Sequence, residues 1–140
     1  MMKISFPQFK KLELADKETV QHFTQRYLPY SDYNFTSLWV YNIKNDMVIS
    51  QLHNNLVVQF RDYTTGEPFL SFLGDTNVSQ TIETLLQSTQ QLGLLPYLQL
   101  IPEHNLKKQN NLEQSFSIEP SRDHFDYIYQ IEAIDRKSVV

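Results

Sequence analysis

Apolar residues that switch between helical and strand spacing predict an α/β (α+β) domain. Its expected form is a mixed, mostly antiparallel sheet flanked by helices, in the order β-α-α-β-β-β-α-β-α-β-β. Three observations carry this expectation. Helical spacing appears at Val20, Phe23 and Tyr27 and again from Val78 to Thr89, whereas strand-like runs dominate 47–60 and 69–73. The only three glycines, at 66, 74 and 93, all fall where an element should end. No repeat and no Ser/Gly- or Pro-rich linker divides the 140 residues, a length that fits one domain.

Each element has a local reason. Phe9 to Leu14 partly alternates and reads as an edge strand. Asp16 is placed to cap the first helix, which ends at Leu28-Pro29 because the residue before proline avoids the helical region. Asn34 is placed to cap a second helix in which Phe35, Leu38, Trp39 and Ile43 share a face. Met47–Leu52 and Leu56–Phe60 then form a hairpin around His53-Asn54-Asn55, since Asn tolerates positive φ. A turn at 64–68 leads to a third strand, Phe69–Leu73.

Gly74-Asp75-Thr76-Asn77 breaks the meander ahead of the longest helix, marked by Val78, Ile82, Leu85, Leu86 and Thr89 and closed by Leu92-Gly93. Leu95 to Ile101 has strand length, with Pro96 near its start, and Pro102-Glu103 can open a short helix to about Asn110. Ser115–Glu119 and Phe125–Ile131 alternate and read as the last two strands.

Composition excludes several kinds of function. There is no Cys, hence no disulfide framework, thiolate zinc site, iron–sulfur cluster or cysteine nucleophile. The net charge is −4, without a Lys/Arg block, which argues against stand-alone nucleic-acid binding. No apolar run approaches the ~18 residues of a transmembrane helix, and the N-terminus lacks a signal-peptide apolar region, so the expected location is the cytoplasm. Nine Phe, eight Tyr and one Trp imply a substantial core.

Four segments add a resemblance. Phe9-Lys10-Lys11-Leu12-Glu13-Leu14-Ala15-Asp16-Lys17, Ser31 to Trp39, Phe72-Leu73-Gly74 and, most specifically, Arg122-Asp123-His124-Phe125-Asp126-Tyr127-Ile128-Tyr129 resemble a bacterial family related to the C-terminal domain of phosphatidylglycerol lysyltransferases. The element order is also that of the GNAT (acetyltransferase-like) fold. Family members carry two GNAT-like domains in tandem, and this chain resembles the first. The resemblance implies that Tyr33, Trp39, Arg122, Asp123, Asp126 and Tyr127 are family-motif or inter-domain interface residues. It implies transfer of an aminoacyl group by the parent protein, with the chemistry mainly in the second domain and the cleft between the two. No catalytic residue of this chain follows from it.

The remaining motifs are weighed on their chemistry. A GNAT pyrophosphate loop offers consecutive backbone N–H groups through a glycine-rich turn at a helix N-terminus. The corresponding corner, Leu73-Gly74-Asp75-Thr76-Asn77-Val78, has one glycine and an Asp that repels phosphate. Acetyl-CoA is therefore not expected there, and the corner reads as a turn with an Asp/Thr/Asn helix cap. No cofactor is expected elsewhere. The four His, at 22, 53, 104 and 124, show no i, i+4 metal spacing. Arg122, Asp123 and His124 could hold an anion or do acid–base work, and also read as a charged turn entering the last strand.

Three functions remain open. The chain is a non-catalytic half-domain that packs on a second GNAT-like domain or self-associates. Alternatively it is a stand-alone acyl-CoA-dependent N-acyltransferase, or an interaction module that kept the fold without the chemistry.

Overall fold

The computed structural model describes residues 4–27, 33–42, 46–62, 65–107, 109, 112–120 and 125–130. Seven strands form one sheet: β1 (Lys10–Lys11), β2 (Val48–Leu52), β3 (Asn55–Arg61), β4 (Pro68–Leu73), β5 (Leu98–Pro102), β6 (Phe116–Pro120) and β7 (Phe125–Gln130). Their order across the sheet is β1-β2-β3-β4-β5-β7-β6. Every pairing is antiparallel except that of β4 with β5, which is parallel and has one registered pair, Leu70 with Leu98. The expected class, a mixed and mostly antiparallel sheet flanked by helices, is the one observed.

The helices are α1 (Lys17–Thr24), α2 (Phe35–Tyr41), α3 (Val78–Leu92), α4 (Glu103–Lys107) and α5 (Leu112–Ser115). They divide the core between the two faces of the sheet. Val20 and Phe23 of α1 and Phe35 and Leu38 of α2 pack with Ile49, Leu56, Val58, Phe60, Phe69 and Leu73. Val78, Ile82, Leu85 and Leu86 of α3 pack on the other face with Val57, Leu70, Phe72, Leu98 and Ile101. Successive strand residues point to opposite faces. The central strands β3 and β4 are covered on both sides, which is why they read as continuous apolar runs rather than alternating ones.

Local chemistry explains where expectation and structure part. Asp16 stands at the N-cap of α1 but makes no cap bond into that helix. Its carboxylate turns back to accept from the Glu13 N–H at 2.8 Å and from Lys10 Nζ, closing a 3₁₀ turn over Leu14–Asp16. That turn takes Leu14 from the end of the expected first strand, and β1 itself is two residues long, with the Leu12 N–H still bonding the Met47 carbonyl. The Asn34 cap forms as expected, its Oδ1 accepting from the Ser37 N–H at 2.8 Å. β5 begins at Leu98, two residues beyond Pro96, instead of at Leu95. Gly93 closes α3 at φ +70°, and the Leu94 N–H bonds back to the Thr89 carbonyl. The one-turn helix α5 ahead of β6 has no counterpart in the expected order.

Candidate functional site

Three loops meet at the sheet end where β4 runs into α3. They are the β2–β3 hairpin turn, the turn after α1, and the corner Gly74-Asp75-Thr76-Asn77 itself. The hairpin turn is the tight two-residue kind, with His53 at φ +52° and Asn54 at φ +65°. It delivers Asn55 as the first residue of β3, fully buried.

Asn55 holds the corner from inside. Its Nδ2 donates to the Thr76 carbonyl at 2.8 Å and to Thr81 Oγ1 at 3.1 Å, while its Oδ1 accepts from the Thr76 N–H at 3.3 Å. Gly74 lies against this amide at φ +156°; a Cβ there would overlap Asn55 Oδ1 and approach Asn55 Cβ to 2.8 Å. The single glycine is therefore required by a side chain of the protein's own core. Asn77, at φ +47°, is the N-cap of α3 and makes no side-chain cap bond, so of the expected Asp/Thr/Asn cap the position is present and the bond is not. The Asn77 carbonyl accepts both the Thr81 N–H and the Thr81 hydroxyl, each at 2.9 Å.

The outer rim is charged and aromatic. Arg26 sits over the Phe23 ring at 5.1 Å and donates to the Asn54 carbonyl at 3.2 Å. The Tyr27 hydroxyl reaches Asp75 Oδ1 at 3.4 Å. Burial, then the negative charge of Asp75, pushes the Tyr27 phenol above its ordinary range, with Arg26 acting the other way. His53 Nδ1 lies 3.0 Å from Thr81 Oγ1. Chemically, the rim offers a cation, an anion, a phenol and an imidazole, whereas the Thr76 amide points inward and is used up. Among the described residues no group of three or more His, Cys, Asp or Glu could hold a metal ion, and no helix is long and apolar enough to cross a membrane.

The residues singled out in the sequence are not gathered here. Tyr33 is 2% exposed; its hydroxyl donates to the buried Ser71 Oγ at 2.5 Å and its ring stands edge-on to Phe60. Trp39 does not share the buried face of Phe35 and Leu38. It is 40% exposed, stacked on the Phe35 ring at 6.0 Å and next to Val40, which is 63% exposed. Arg122, Asp123 and His124 lie outside the described residues. Asp126 and Tyr127 lie on β7, Asp126 in register with Ile101 and Pro120, and Tyr127 with Glu119. Asn55, Thr81 and His53 were not singled out as a group. The sequence signal for them was only a hairpin turn and a lone glycine, 19 residues apart at Asn55 and Gly74.

No family model matches the chain, and no curated protein matches it. Its fold is similar to that of a solved structure from Bacteroides thetaiotaomicron, described as a conserved protein of unknown function. The TM-score is 0.63 at 18% identity; the match covers 81% of this chain and 39% of that one. This likeness is one of fold, and this chain spans well under half the length of that neighbour.

Proposed function

We propose that the chain is a non-catalytic GNAT-like half-domain of a phosphatidylglycerol-lysyltransferase-related protein. In this reading it works in the cytoplasm, packing on a second GNAT-like domain to shape a substrate cleft that the partner's chemistry uses. The observation that carries the reading is the β4–α3 corner. Where a GNAT acetyltransferase turns backbone N–H groups toward a pyrophosphate, this chain turns its Thr76 N–H onto Asn55 and places the Asp75 carboxylate beside it. The sheet order and its one parallel pairing support the GNAT-like part of the reading. Among the described residues, the exposed Trp39–Val40 pair on α2 offers adjacent apolar side chains to a docking domain.

The same sheet order favours a second reading, a stand-alone acyl-CoA-dependent N-acyltransferase. Thermal unfolding with excess acetyl-CoA separates the two. A ligand at 100 times its Kd adds ~2.7 kcal/mol. The half-domain reading expects an unchanged Tm; a saturable rise would replace it with the acyltransferase.

A further inference from the structure

We draw no further inference here: the strongest candidate, the side-chain amide of Asn105 on α4, with neither Nδ2 nor Oδ1 hydrogen-bonded among the described residues, is sealed at 1% exposure, and nothing in the structure shows a cavity or group through which a ligand would meet it.

Discussion

Replacing Gly74 by Ala puts the strongest demand on the corner. The new methyl overlaps the side chain of the fully buried Asn55, from Oδ1 back to Cβ, so the amide must leave its place. Its departure breaks the bonds to the Thr76 N–H, the Thr76 carbonyl and Thr81 Oγ1. Each is worth ~0.5–1.5 kcal/mol net, and holding an L-residue at this φ adds ~1–3 kcal/mol. We expect a loss of about 4 kcal/mol, or roughly 12 °C in Tm at about 3 °C per kcal/mol for a chain of this size. Removing the obstacle isolates the mechanism. In the Asn55→Gly background the three atoms nearest the methyl are gone, so Gly74→Ala should cost mainly the backbone strain. The double-mutant cycle, read by urea denaturation, should give a coupling of ~2 kcal/mol. A Gly74→Ala protein within ~0.5 kcal/mol of the parent, or an additive cycle, would refute the claim that Asn55 holds the corner.

Other outcomes follow from the same geometry. Tyr33→Phe removes the donor to Ser71 Oγ inside the core and should lower stability by ~1–2 kcal/mol in urea while leaving the far-ultraviolet spectrum unchanged. Tyr27 binds its proton more tightly folded than unfolded, so its contribution is complete below its unfolded pKa of 10.0 and is lost as pH rises through the higher folded value. Stability measured across that alkaline range should therefore fall more steeply for the parent than for Tyr27→Phe. Equal slopes would show that the phenol does not feel its burial and Asp75. Acetyl-CoA in excess should leave Tm unchanged, as set out above.

Much of the fold was legible because local signals agreed with it. The period of the apolar residues gave α1, α3 and the β2–β4 meander, and Asn34 and Gly93 ended their helices by short-range bonds that a sequence displays directly. Asp16 misled because an acidic residue ahead of a helix can cap forward or fold back, and Lys10, six residues upstream, decides which. Trp39 misled for a different reason. A helix of seven residues buries enough through Phe35 and Leu38, and the indole is left to stack on the rim. The site was the least legible part. Gly74 is indispensable only because Asn55 arrives from another strand, and Asn55 and His53 both meet Thr81 on α3, which follows β3 and β4 in the chain. Such contacts have no periodicity to read.

We propose that this chain works packed against a second domain. The most direct measurement is the mass of the native protein in a lysate of its source cells, detected with an antibody to this domain and followed by sizing under native conditions. The account predicts a band about twice the 16.6 kDa of the chain. A 16.6 kDa species that runs as a monomer would contradict it.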